Sequence, residues 1–290
     1  MSEFLQFLVA GLKNGSIYAL IALGFTIVYA ATGAINFAQG EFFMLGGMLC
    51  VSFTDLGMPL PVAAVAAIAA TAAIGAAFEL LAVRPIAGDS PLRIIMVTIG
   101  GAVVLRQLAL HFFGPDERAL APFTEGASLK AFGVAVELQT LWIWGLTALA
   151  VVALALLYRK TAFGRAMRAT AIRRDAARLV GINAGMMVTV AFALAAGLGA
   201  LAGVAVAPLT QTAFGVGAAI GVKGFAAAIL GGIGNPITAV AGGLLLGLLE
   251  SFAAGYFDPA YKDGVALVVL LVVLFVAPQG LLAKAGRVKV

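Results

Sequence analysis

The sequence is poor in the residues from which hydrolytic or metal centres are made. It holds one cysteine, Cys50, and one histidine, His111, in 290 residues. A single cysteine permits no disulfide within the chain and no cysteine-based metal site. One histidine at the end of an apolar segment, with no cysteine or carboxylate cluster beside it, is a poor metal signal. No G-x-x-x-x-G-K-[ST] phosphate loop occurs, so the chain does not bind ATP in that manner. No series of embedded carboxylates and histidines marks a proton relay. Charge is scarce as well: 11% of residues are charged, roughly half the share in a soluble domain. Such a chain cannot cover itself with a hydrated surface, which argues against a soluble enzyme.

What is present is mostly hydrocarbon. Hydrophobic residues make up 63% of the chain and gather near 9–31, 38–55, 60–82, 92–113, 139–158, 186–207, 219–234, 237–256 and 264–282. A bilayer core about 30 Å thick needs roughly 20 mostly apolar residues per spanning helix, so there is room for eight or nine crossings and little else. The first segment follows Ser2 and Glu3 rather than a basic region and has no convincing cleavage site, which reads as a retained membrane helix rather than a signal peptide.

Orientation follows from the basic residues, because loops rich in Lys and Arg stay cytoplasmic. The connector over 159–185 carries Arg159, Lys160, Arg165, Arg168, Arg173, Arg174 and Arg178 against Asp175 alone, and is expected inside. The segment from Gly114 to Glu137, where acids outnumber bases, then falls outside. The loop with Arg84 and Arg93 falls inside, as does the tail with Lys284, Arg287 and Lys289. The expectation is an all-α polytopic membrane bundle, a single membrane-spanning domain over 1–290, with nine helices, an external amino terminus and a cytoplasmic carboxyl terminus. If the segment at 219–234 only dips in and returns, eight crossings remain and the basic tail lies outside, against its charge.

Thirty-six glycines allow helices to approach closely. The pairs Gly11/Gly15, Gly199/Gly203, Gly217/Gly221 and Gly243/Gly247 each put small residues on one helix face, where contact drives association in lipid.

Three stretches depart from the apolar background. The first, Thr32 to Glu41, joins two segments with almost no room for a loop. Its Asn36, Gln39 and Glu41 fit either irregular backbone at membrane depth, tolerated where it is buried or lines a wet cavity, or a cytoplasmic turn whose acid favours the next helix start. The second runs from Lys223-Gly224-Phe225 to Gly234-Asn235-Pro236. Pro236 disfavours helical geometry at Asn235, so the chain breaks there, either as a half-helix end on a transport path or as a plain interfacial turn. The third is the basic connector. Arg165 and Arg168 are neighbours on one helical face, Phe163, Met167 and Ile172 offer apolar contact, and Gly181 is suited to end a helix. Its length points to a docking surface for a cytoplasmic partner, with orientation alone or contact with anionic lipid as the alternative. Among ionisable groups inside spans, Glu79 and Glu250 are close enough to span ends to reach an interface, and Arg106 is expected to have a buried partner.

At these stretches the sequence resembles the LivH-type permease of branched-chain amino acid ABC importers. The residues that carry the likeness are Gly15-Ser16-Ile17-Tyr18-Ala19-Leu20 with Gly24, Ile35 to Phe42, Arg84-Pro85, Thr161 to Asn183, Lys223 to Gly234, and Pro278-Gln279-Gly280-Leu281-Leu282. They span essentially the whole chain in order. The resemblance implies half of a heterodimeric pore in a bacterial inner membrane, paired with a LivM-like permease, two cytoplasmic ATPases and a soluble periplasmic or extracellular binding protein. It implies no cofactor on this chain, with ATP and magnesium on the ATPases, and no nucleic-acid partner. The family's coupling segment falls on Gly164 to Asn183, so Gly164, Arg165, Met167, Arg168, Asp175, Gly181 and Asn183 are the candidate coupling residues. Asn36, Gln39, Glu41, Lys223 and Asn235 are the candidate pathway residues. Gln39 stands where the family often has His, which removes a titratable group. Relatives of this kind carry leucine, isoleucine and valine, other amino acids, or amides and urea. A passive channel of the aquaporin kind, with Asn36-Phe37-Ala38 and Asn235-Pro236-Ile237 as its paired motifs, is the rival reading, although Asn36 lacks the following proline. A lipid-modifying membrane enzyme is a second rival, but the loops lack the paired carboxylates or histidines it needs.

Overall fold

The computed structural model describes residues 2–87, 90–126, 128–131, 134–257, 262–277 and 280–282. The chain forms α1 (Ser2–Thr32), α2 (Gln39–Asp55) and α3 (Leu60–Phe78), which continues through a π-helical turn (Glu79–Val83) into α4 (Arg84–Ala87). Then come α5 (Pro91–Phe113), a small hairpin of β1 (Leu129–Ala131) and β2 (Val134–Val136), and α6 (Leu138–Lys160). The remainder is α7 (Ala162–Ile172), α8 (Arg174–Leu179), α9 (Ala184–Thr210), α10 (Val216–Gly231), α11 (Pro236–Tyr256) and α12 (Lys262–Val276). Every expected apolar segment contains a helix. The first starts earlier than expected, and the last ends at Val276 rather than 282.

Helix ends follow local chemistry. Pro91 and Pro236 sit in the first turns of α5 and α11, where a missing N–H leaves no bond unmade. Asn183 and Asn235 cap α9 and α11 by accepting from the N–H groups of Met186 and Ile237, each at 3.0 Å. Gly33 ends α1 at φ 70°, a conformation that favours residues without a Cβ.

Among the described residues, six helices are long and apolar enough to cross a membrane: α1, α3 with its continuation, α5, α6, α9 and α11. The helices α10 and α12 are apolar but shorter, and α2 has 17 residues. The most apolar window of α1 is 83% buried and that of α9 is 72%, against 22% for each of α3, α5 and α6. Thus α1 and α9 form the centre, while α3, α5 and α6 turn residues such as Val65, Val104 and Leu149 outward, as lipid-facing helices do.

The glycine pairs seat helix against helix. Gly11 and Gly15 of α1 lie on Leu248, Leu244, Gly243 and Gly247 of α11, so the two run antiparallel. Gly199 and Gly203 of α9 lie on Phe42, Phe43 and Gly47 of α2, and Gly217 and Gly221 of α10 lie on Gly40. The packing plan repeats itself. As α11 packs on α1, so α3 packs on α9, with Gly75 against Phe192 and Ala196. As α2 lies along α9, so α10 lies along α1. The trios α1–α2–α3 and α9–α10–α11 are thus built alike, each with a short middle helix beside the other trio's long first helix.

Contacts between helix ends fall into two sets. At one end of the bundle, Arg118 pairs its backbone with Thr212, bonds to Ser52 and forms an ion pair with Asp55, and Lys13 lies 3.4 Å from Glu137. At the other end, Arg84 bonds to the Gly185 carbonyl at 3.0 Å, and the Leu281 N–H donates to the Leu230 carbonyl at 3.1 Å. The basic tail residues Lys284, Arg287 and Lys289, and Pro278 and Gln279, lie outside the described residues.

Candidate functional site

The helix starts that follow two irregular connections, residues 33–38 and 211–215, meet inside the bundle. Gly40, in the first turn of α2, lies against Gly217 and Gly221, in the first turns of α10. The Gln39 amide donates to the Ala195 carbonyl at 2.8 Å and packs on Gly24. Gly24 precedes the last residue of α1, Thr32, by eight residues, about 12 Å at a rise of ~1.5 Å per residue. The start of α2 is therefore deep in the bundle and not a surface turn. Of the two readings open for this stretch, irregular backbone at depth is the one observed.

Asn36 and Gln39 are fully buried and Glu41 nearly so. Asn36 Oδ1 accepts from the Ala38 N–H at 3.0 Å, and the Phe37 N–H donates to Thr98 Oγ1 at 3.1 Å. Arg106 has the buried partner expected of it: its Nη2 donates to Glu41 Oε1 at 2.5 Å. The carboxylate of Glu41 also lies against Gly217, at the helix start that carries the positive end of the dipole. Asn36 Nδ2, Gln39 Oε1 and Glu41 Oε2 have no protein hydrogen-bond partner among the described residues. Three such atoms between Asn36 and Glu41 mark the polar seam of the bundle, since burial without a partner costs about 1–3 kcal/mol each.

Lys223 is buried beside this seam. Its Nζ lies 2.7 Å from Glu250 Oε1, an electrostatic contact rather than an aligned hydrogen bond, and 3.4 Å from the Tyr18 hydroxyl. Tyr18 donates to Glu250 Oε2 at 2.5 Å. Glu250 and Glu79 do not reach an interface as the sequence suggested; they are 0% and 3% exposed. Each is buried because a partner arrives from elsewhere in the chain: Lys223 and Tyr18 for Glu250, and Arg84 and Thr189 for Glu79.

Asn235 is exposed and caps α11 in a short turn next to Tyr29. The helix start that meets α2 inside the bundle is that of α10, after the break at 211–215, and Asn235 takes no part in that contact. Sequence reasoning missed that break. Its sequence signals were Pro208 and the polar run Thr210-Gln211-Thr212; in the structure Gln211 has φ 60°, the sole non-glycine positive φ among the described residues.

The basic connector folds as two short helices, α7 and α8, ended by Gly181 at φ 82°. Gly164 and Met167 point inward, Gly164 against Leu157 and Tyr158 and Met167 into the core, so they hold the arm to the bundle. Arg165 and Arg168 are exposed, together with Ile172, Leu179 and Val180. Asn183 caps α9, and the side chain of Asp175 lies outside the described residues. Two cavities are lined by other parts of the bundle. One, of about 490 Å³, is apolar and bounded by α1, α6, α7 and Asn235, with Arg159 and Arg168 in its lining. The other, a more polar cleft of about 580 Å³, opens at the Lys13 end and reaches Lys223.

Residues 7–274 match the family described as branched-chain amino acid transport system / permease component. The chain is 36% identical to the high-affinity branched-chain amino acid transport system permease protein BraD of Pseudomonas aeruginosa, over 99% of this chain and 98% of that one. It is 35% identical to the corresponding LivH of Escherichia coli K12 over the same shares. The ribose import permease protein RbsC of Escherichia coli K12 is 28% identical over 91% of this chain and 83% of its own. A match that runs from α1 into α12 takes in the seam, both cavities and the basic arm together, and on that basis the chain belongs to the family of branched-chain amino acid transport permease components.

Proposed function

We propose that this chain is the membrane-spanning permease subunit of an ATP-driven importer for branched-chain or related amino acids in a bacterial inner membrane. The observation that carries the reading is a near full-length relationship to BraD and LivH in a chain whose basic arm turns Arg165, Arg168, Ile172, Leu179 and Val180 to solvent. Charge next to apolar surface of that kind fits a protein partner better than a purely orienting loop.

The arm and the Arg84 end lie in the cytosol, and the Lys13 end lies outside. Grouping of the helix ends by contact supports this, because it sorts them as the basic residues do. The bundle crosses the membrane nine times. α2 and α10 are too short alone, and each completes its crossing with the irregular stretch before it. A second permease of similar kind pairs with this one, two ATPases bind the arms and supply ATP and magnesium, and a soluble binding protein delivers the solute at the Lys13 end. Closure of the ATPases pushes on α7 and reopens the seam of Asn36, Gln39 and Glu41 toward the other side, which is alternating access with half-helix starts at the midplane.

The test uses the whole transporter in vesicles with binding protein and ATP. Arg165→Glu with Arg168→Glu leaves insertion intact and lowers leucine uptake per ATP hydrolysed at least about tenfold, a coupling loss within the range for interfacial charge pairs. Normal uptake per ATP in that variant removes the docking role. Urea or ribose carried in preference to leucine moves the substrate assignment.

A further inference from the structure

The apolar cavity of about 490 Å³ is a groove on the flank of the bundle. Helices α6 and α11 each pack on α1, and the groove between them is lined by Leu23 and Ile27 of α1, Val151, Leu154 and Ala155 of α6, and Ile237 of α11. Thr26 also lines it but is 0% exposed, so its hydroxyl adds nothing polar to the accessible wall. Leu156 and Ile237 are exposed, and the hydrocarbon surface continues outward past them to the lipid. The polar groups collect at the end where the basic arm begins: Tyr158 and Arg159 in the last turn of α6, Arg168 on α7, and Asn235 in the turn before α11. No acid lines the groove, and neither arginine forms an ion pair among the described residues. Both are exposed. From Val151 to Arg159 the groove follows α6 for eight residues, about 12 Å at a rise of ~1.5 Å per residue, which approaches half of a hydrocarbon core about 30 Å thick. The slot is nearly as deep as one leaflet, and its charge lies where the phosphates of that leaflet lie.

We propose that this groove is a binding site for one anionic phospholipid of the leaflet on the arm's side. An acyl chain lies along α1 and α6. The headgroup phosphate sits between Arg159 and Arg168, whose planar guanidinium groups match phosphate oxygens in pairs. Two positive charges without a protein counter-ion favour a lipid of net negative charge over a zwitterionic one, whose own cation they repel. Asn235 caps α11 through Oδ1, which leaves its NH2 group as a further donor. Bound there, the lipid packs against Met167 and Ala171 of α7 and fills space that the protein leaves open, so that part of the bed under the coupling arm is lipid. Arg165 does not line the groove and stays available to a protein partner. The proposal goes beyond the importer reading and rests on one part of it, the crossing of the membrane by α1 and α6.

The experiment is photolabelling of the intact transporter in phosphatidylcholine nanodiscs. These carry a small fraction of a phospholipid with a diazirine on its acyl chain, either phosphatidylglycerol or phosphatidylcholine, and labelled peptides are mapped by mass spectrometry. The phosphatidylglycerol probe labels residues 23–31 and 151–159 at least about fivefold more than the phosphatidylcholine probe, well within what two basic groups give an anionic lipid. Both probes label Met96 and Ile99 alike; these are exposed on α5 near Arg93, so they control for general attraction to basic residues. Arg159→Gln lowers the ratio in the groove, and Arg159→Gln with Arg168→Gln brings it within about twofold of unity. Ala155→Trp fills the groove and lowers labelling there by either probe, as overpacking does. An unchanged elution volume verifies folding of each variant, and the two probes decide on the unsubstituted chain alone. Equal labelling of the groove by the two probes, or an unaltered ratio in the folded double variant, overturns the proposal. So does a groove that neither probe labels, which would mean that a second permease or another protein segment covers it. Labelling at Met96 without labelling in the groove sinks only the lipid site, whereas no labelling at either place sinks the membrane crossing on which the importer reading stands.

Discussion

Lys223 and Glu250 stand 27 positions apart in sequence and 2.7 Å apart in space. A charged side chain at the centre of a membrane helix costs about 2.5–3.5 kcal/mol on insertion scales, and pairing offsets most of that cost. Removing one partner strands the other. Lys223→Met alone leaves Glu250 fully buried with only Tyr18, and the expected loss is about 3–5 kcal/mol. Adding Glu250→Gln to it is expected to recover a large part of that loss, read as the thermal midpoint of the purified protein in detergent. Losses that simply add would show that the pair is not coupled. The sequence revealed Lys223 and Glu250 as ionisable groups among apolar ones, but their partnership depends on how α10 and α11 lie across α1, which no local pattern encodes. Arg106 is the instructive contrast. Its need for a partner was legible from cost alone, whereas the identity of that partner, Glu41 on α2, required the fold.

At the scale of the elements, the junction of α2 with α10 decides how the bundle closes. Gly40 lies so near the Gly217 carbonyl that a Cβ has no place there. Gly40→Val therefore forces the two helix starts apart at a cost of about 1–3 kcal/mol or more, seen as lower yield and earlier melting. Gly145→Val, where a Cβ meets open space, serves as the control; equal behaviour of the two would contradict the junction. Asn36, Gln39 and Glu41 stood out in the sequence because polar residues occupied a connection too short for a hydrated loop. Residues 211–215 did not stand out, because Pro208 lies inside α9 without ending it and the polar run after it looks like any surface turn. The break expected at Asn235-Pro236 is present, and its strong local signal is that of a cap on α11.

For the whole molecule, nine crossings and eight place the turn at Asn235 on opposite sides. Cys50 is the only cysteine and is buried, so Cys50→Ala gives a clean background for labelling. With an impermeant maleimide on intact cells, Glu125→Cys is expected to react, while Arg168→Cys and Asn235→Cys react only after permeabilisation. Reaction of Asn235→Cys from outside would reduce the count to eight, and reaction of Arg168→Cys from outside would invert the molecule. The long spans were readable from hydropathy, and their sidedness was inferred from basic residues. The likeness of the two trios was not readable, because it is a likeness of packing between helices whose sequences need only be small and apolar.

The meeting of Gly40 with Gly217 carries a mechanical consequence. Side chains can change rotamer and absorb a displacement, but two backbones in direct contact have nothing to yield. A tilt of α10 is thus passed to α2 without slack, and from α2 to the end of the bundle where Asp55 is tied to Arg118. The contact of Gly40 with Gly217 therefore joins the two trios as a rigid coupling rather than a soft one.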